Sequence, residues 1–386
     1  MNYLFKNLKN YYFKIFIISF LIKIAYFIFT LLLYKSGIVQ EKFGLHLDNF
    51  LFTFFRNDAG WYKNIIDYGY SAILNKEELK GIVNGAAIQS EWAFFPLYPY
   101  LIKFIMLSGL DYFVSAFLFT LIISTLCFIA FFEFADYTFA DKEKAWFTTQ
   151  LFIFFPFNYY YSMYYTESLF VFLMLSGFLC VSKNKNSFLY LIIPALVLTR
   201  PNGLLVSFVL FIFSFEILIK NKKISPKLFF NKAFIYSILP FILAPITMLF
   251  YCLYQFKMTG DYFAFNSAQE GWGKENMYPW QALFRHGDFV NQFESIFTCV
   301  VLFFFGFFFK KYRFSYILLI LFTILIPLSK GSVISMPRYI SILFPIFFMV
   351  GEKIFNYKYK YFIVGSFFIL QLCNLYFWLN FHYFSY

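Results

Sequence analysis

Charge is what this chain has least of. Asp, Glu, Lys and Arg together make up 13% of its 386 residues, against 61% hydrophobic residues and a mean hydropathy of +0.66. A soluble domain of ordinary composition carries about twice that share of charge. The composition therefore excludes one and predicts a polytopic membrane protein. Histidine is scarce too: His46, His286 and His382 lie far apart and form no HxxxH or HExxH pair. A histidine metal site has no sequence basis, and no metal is expected. The five cysteines (Cys127, Cys180, Cys252, Cys299 and Cys373) all fall inside apolar stretches without paired spacing. They read as small core residues rather than a disulfide framework. There is no P-loop and no GxGxxG following a strand, so no nucleotide-binding domain is expected. Linkers rich in Gly, Ser or Pro are missing, as are internal repeats, so residues 1–386 read as one domain.

What the chain does have is apolar length. Runs at 12–34, 112–134, 146–163, 167–182, 187–200, 203–219, 233–255, 292–309, 314–329, 338–351 and 361–381 give about eleven transmembrane helices. Several are near or below the roughly 17 residues that cross a bilayer. The first run follows the basic start MNYLFKNLKNYYFK and continues to Leu33 without a small-residue cleavage site, so it reads as a retained helix. The segment 93–109 is interrupted by Pro96, Pro99 and Lys103 and reads as an interfacial or re-entrant piece.

A net charge of +12 raises the question of nucleic acid, and its distribution answers it. With the N-terminus in the cytoplasm, the inner segments are 1–14, 135–145, 183–186, 220–232, 310–313 and 352–360. They hold eighteen Lys and Arg against four acids, while the longer outer segments hold thirteen against fourteen. That is the asymmetry of the positive-inside rule. The basic balance is a topology signal, and no nucleic-acid partner is expected.

On this topology the polar sequences gather on the outer side. The first and longest, 54–100, carries Arg56, Asp58, Asp67 and Glu91 among Trp61, Tyr62, Tyr68, Tyr70 and Trp92. Trp and Tyr of this kind favour the membrane–water boundary. YYYSMYYTE (ending at Glu167), TRPNG (Arg200, Asn202), 257–291 and SKGSVISMPR (Arg338) join it. Any one of Glu167, Arg200 and Arg338 could simply snorkel to the interface. Taken together, two arginines suit a phosphate through their planar donor forks. Glu167 could orient one of them or cap the following helix.

The run RNDAGWYKNIIDYGY, then EWAFFPLYP, YYTESLF, TRPNGLL and PRYISILFPIF, resembles in that order the PIG-V family, GPI mannosyltransferase II and its bacterial relatives. These are membrane glycosyltransferases of the GT-C class. One position departs: Asn57 precedes Asp58 where the family carries Trp. The resemblance implies an all-α, GT-C-like fold with a long first outer loop carrying interfacial helices. It implies a sugar donor on a polyprenyl phosphate, typically mannose, used on the extracytoplasmic face with inversion. A bacterial cytoplasmic membrane with its site facing outward is the expected location.

On that basis Asp58 is the expected general base, with Glu91 as a second carboxylate. Arg56, Trp61, Tyr62, Tyr70, Glu167, Arg200, Asn202 and Arg338 are the expected substrate-binding residues. No cofactor is expected beyond the lipid-linked donor itself, and the acceptor is a lipid, a glycan or a protein. A bland role for Asp58, as N-cap of the helix that follows, competes with the base. Two other functions fit the same topology: a transporter or flippase of a lipid-linked sugar, and a glycan polymerase or ligase. A transporter usually places charges mid-membrane, where this chain has few, Lys23 and Glu216.

Overall fold

The computed structural model describes residues 2–41, 46–71, 82–83, 86–87, 89–220, 238–285 and 287–382. His286, residues 221–237 and residues 72–81 lie outside them. Among the described residues, six helices are long and apolar enough to cross a membrane: Asn10–Lys35, Tyr112–Phe139, Gly203–Lys220, Leu239–Thr259, Phe289–Phe307 and Lys360–Leu379. The protein is an all-α membrane protein apart from a two-residue antiparallel pairing of Ile82–Val83 with Ala86–Ala87. The other five expected spans form shorter helices. They include Glu167–Ser182 with 16 residues, Phe314–Leu328 with 15 and Lys142–Phe154 with 13. Leu97–Met106, inside 93–109, has 10 residues and is about 15 Å long, half a bilayer.

The chain folds as two compact units. The first comprises Met1–Gly60, Ile102–Leu175 and Ser341–Tyr386. Here the first helix runs antiparallel to Tyr112–Phe139. Tyr11 stacks on Phe132 at 5.0 Å, and the Ser19 and Ser124 hydroxyls meet at 3.2 Å. One index rises by eight as the other falls by eight, so the register is constant and sets Lys23 opposite Thr120. Asp111 caps the Tyr112 helix by accepting the Phe113 and Val114 N–H groups at 2.8 and 3.2 Å. Asp141 does the same for Lys142–Phe154 through Glu143 and Lys144.

The sequence reads 146–163 as one span, and the structure corrects this. The helix stops at Phe154, and a 3₁₀ turn follows at Asn158–Ser162. Pro156 cannot donate to a continuing helix. The carbonyls left over are met from the last helix: Gln371 Nε2 donates to Ile153 and Phe155, and Asn374 Nδ2 to Pro156, at 2.9–3.1 Å. A backbone break inside a membrane protein persists only where such partners satisfy it. The 338–351 run is likewise split, into Met336–Ser341 and Phe344–Ile354.

The second unit comprises Trp61–Leu101 and Ser176–Ile340. Its Leu189–Thr199 and Gly203–Lys220 helices turn back on each other through Arg200, Pro201 and Asn202. Gly203 makes this turn possible, since a Cβ there would lie 2.0 Å from the Leu196 carbonyl oxygen. Glu216 accepts the Ser315 N–H at 2.9 Å and the Ser315 hydroxyl at 2.8 Å, with Arg313 at 4.0 Å. One of the two mid-span charges is thus a cap for Phe314–Leu328.

Candidate functional site

Asp58 opens the Asp58–Tyr68 helix as its first residue. The residue before it, Asn57, has φ 46. Left-handed backbone is costly for most side chains and tolerated by Asn. Helix geometry begins at Asp58, which places its carboxylate in the first turn. A carboxylate in a helix's first turn is favoured by the unpaired N–H groups there. Asp58 is partly exposed.

Arg56 backs this turn and is 3% exposed. Its Nη1 donates to the Phe52 carbonyl at 2.9 Å and the Phe55 carbonyl at 2.6 Å, closing the Phe50–Phe54 turn. The guanidinium faces the Trp378 and Phe381 rings at 5.6 and 5.5 Å. Burial pushes it down to about 10, against a smaller upward pull from Tyr165. Tyr165 Oη donates to the Arg56 carbonyl at 3.2 Å, and Tyr112 Oη to that of Ala59 at 3.4 Å. Asp58 therefore stands on a tightly held backbone. Glu167, in the same unit, is fully buried at the first turn of its helix.

The remaining expected site residues belong to the second unit. Glu91 begins a 3₁₀ turn, and its Oε1 accepts both the backbone N–H of Ser71, at 2.8 Å, and the Ser71 hydroxyl. One of its oxygens is thus spent on tying Ser71 to this turn. Trp61 stacks on Phe94 at 5.9 Å and meets Trp272 edge-on at 5.8 Å. Tyr62 is buried against Phe94 and Tyr98. Tyr70 Oη donates to the Phe94 carbonyl at 2.7 Å while its ring lies on Trp92, and burial raises its phenol well above the usual range. These two tyrosines have packing roles in the structure. Arg200 caps the Leu189–Thr199 helix in extended backbone, and Asn202 accepts the Val206 N–H through its carbonyl at 2.9 Å. Both are half-buried, as is Arg338 in the Met336–Ser341 helix.

Two groups are absent from the sequence reading. Glu294, 2% exposed, lies in the Phe289–Phe308 helix and accepts the Ser335 and Met336 backbone N–H groups, just ahead of Arg338. Ser335 has φ 70. A non-glycine residue holds that conformation only where its surroundings fix it, and the Glu294 carboxyl beside this backbone is part of those surroundings. No pattern in FVNQFESIF marks that role, because its partners are some forty residues away. The other group is an exposed trio, Glu41, His46 and Asp48, whose ligand-type atoms lie within 4.8 Å of one another.

No protein-family model matches the chain, and no curated protein matches it.

Proposed function

We propose that this chain is a membrane glycosyltransferase. It moves a sugar, mannose by the sequence resemblance, from a polyprenyl-phosphate donor to a lipid, glycan or protein acceptor, on the outward face and with inversion. Asp58 is the general base. One observation carries the reading: a solvent-reachable carboxylate, outside the six long apolar helices, heads a helix whose preceding turn is held by buried Arg56. An attacking sugar hydroxyl is far too weak an acid to react unaided at neutral pH, so it needs a base in hydrogen-bond reach. A lipid-linked donor keeps its tail in the bilayer and its phosphate at headgroup depth, and therefore needs polar groups at that depth. Arg200 and Arg338 are the cations proposed to meet the phosphate. Glu294 acts through Arg338, as a positioning residue.

The flippase reading keeps one observation in its favour. Lys23 lies within a membrane-spanning helix and is wholly buried, and ionisable groups in such places often mark transport paths. Detergent-extracted membranes given radiolabelled polyprenyl-phosphate mannose separate the two. Transfer to an endogenous acceptor is the enzyme's signature; vectorial movement of the intact donor is the flippase's. Within the enzyme reading, Asp58→Asn preserves shape and hydrogen-bonding reach. It should lower turnover by about 10²–10⁴-fold, the range for a lost general base, with donor binding and thermal stability unchanged. Near-normal transfer by that variant removes Asp58 from the mechanism.

A further inference from the structure

The second unit contains a cavity of ≈ 330 Å³ that none of the residues above lines. Its wall is made by Asn266, Glu270, Lys274, Glu275, Asn276 and Lys330. The wall is built rather than incidental. Glu275 N–H donates to the Lys330 carbonyl at 3.1 Å and Met277 N–H to that of Ser329 at 2.9 Å, pairing the two loops. Gly331, at φ +71, lets them approach: a Cβ there would lie 2.7 Å from Met277 Cε and 2.9 Å from the Glu275 carbonyl oxygen. Lys330 Nζ then reaches between two carboxamides, donating to Asn266 Oδ1 at 2.6 Å and Asn276 Oδ1 at 2.8 Å. Lys274 Nζ is held by Gln269 Oε1 at 2.9 Å.

The lining selects a ligand by exclusion. Lys274 and Lys330 share the wall with Glu270 and Glu275, so the lining itself is balanced, and Glu275 Oε2 also meets Arg285 Nη1 at 3.8 Å outside it. A phosphate would be opposed by Glu270 and Glu275, and a cation by Lys274 and Lys330. Apart from Gly273, every described lining residue is polar or charged, so an apolar guest would leave their polar groups unmet. A sugar hydroxyl donates and accepts at once. It can give its proton to a carboxylate while taking one from an ammonium or an amide N–H. The Asn266 and Asn276 oxygens are already engaged by Lys330, which turns these amides into donors.

We propose that this cavity binds a neutral mono- or disaccharide, the sugar end of the acceptor. Sugar binding stands on the lining alone; calling that sugar the acceptor rests on the glycosyltransferase reading. The test is calorimetric titration of the purified full-length protein in neutral detergent. The probes are neutral disaccharides of mannose, glucose, galactose and N-acetylglucosamine, and separately inorganic phosphate. At least one disaccharide should bind saturably, without competition from phosphate. Asn276→Leu and Lys330→Met should each weaken it by about tenfold or more, the factor for a lost hydrogen bond to a charged or desolvated group. Because Lys330 also braces its loop, exposed Glu270→Gln serves as the second variant: weaker sugar binding at unchanged Tm is expected. Sugar binding by a protein without transferase activity would support the cavity and sink the enzyme reading. Transfer activity without binding of any disaccharide, or binding untouched by all three cavity variants, would overturn the cavity.

Discussion

Asn57 shows how one backbone angle constrains a neighbouring reactive group. Its φ of 46 aims the chain into the helix that Asp58 begins. The family resembled in sequence carries Trp here, and a bulky residue in left-handed backbone costs about 1–2 kcal/mol. Asn57→Trp is therefore expected to lower thermal stability by that amount and to disturb the Asp58 turn, while Asn57→Gly should be nearly neutral. Equal melting temperatures for the two variants would refute this. At the same scale, the sequence offers Asp58 as one of several carboxylates among interfacial aromatics, with Asp67 and Glu91 in the same stretch, and its role as the base is the proposal made above. Tyr62 and Tyr70 looked like the same kind of residue and pack instead into aromatic clusters. Nothing in local composition separates a half-wet tyrosine from a buried one. Glu294 was invisible for the opposite reason: its role exists only through the Ser335–Met336 backbone.

Elements were legible where apolar length alone decides, and not where distant partners do. The long runs became the six long helices. The break after Phe154 depends on Gln371 and Asn374, more than two hundred residues away, to cover its carbonyls. A hydropathy reading carries the run past the break because Phe155 and Phe157 flank Pro156 there. TRPNG forms the turn between Leu189–Thr199 and Gly203–Lys220, and the structure explains its glycine by steric approach rather than by an unusual φ. A methyl on Gly203 would sit 2.0 Å from a backbone oxygen that cannot swing away. Gly203→Ala should therefore force the two helices apart, at a cost on the order of 3 kcal/mol, typical of overpacking a close site. Melting of the purified protein measures it; a change in Tm within error would show that the turn relaxes freely.

For the whole molecule the sequence speaks most clearly through charge, which bears on sidedness rather than on packing. The orientation proposed from the Lys/Arg excess has 352–360 inside and 257–291 outside. Tyr357 and Tyr278, both exposed, report on those two segments. In a background without the native cysteines, Tyr278→Cys should react with an impermeant thiol reagent in intact cells and Tyr357→Cys should not. The reverse pattern would put Asp58 on the wrong side for an outward donor. The division into two units, each assembled from separated stretches of chain, was not legible. Periodicity describes faces of single helices, while unit membership depends on which faces meet.

The register between the first helix and Tyr112–Phe139 also bears on how the protein is made. Lys23 is fully buried, its Nζ has no hydrogen-bond partner among the described residues, and the Phe54 ring lies 5.9 Å away. On the ribosome the first helix emerges some eighty residues before the helix that shelters this lysine. Until then the ammonium confronts the translocon or lipid, at about 2.5–3.5 kcal/mol for a central lysine. The first helix should accordingly complete its insertion only when its later partner arrives. A nascent fragment ending at residue 110 should integrate poorly, one ending at residue 141 well, and Lys23→Leu should rescue the shorter one. Equal membrane integration of the two unaltered fragments would show that the first helix needs no company.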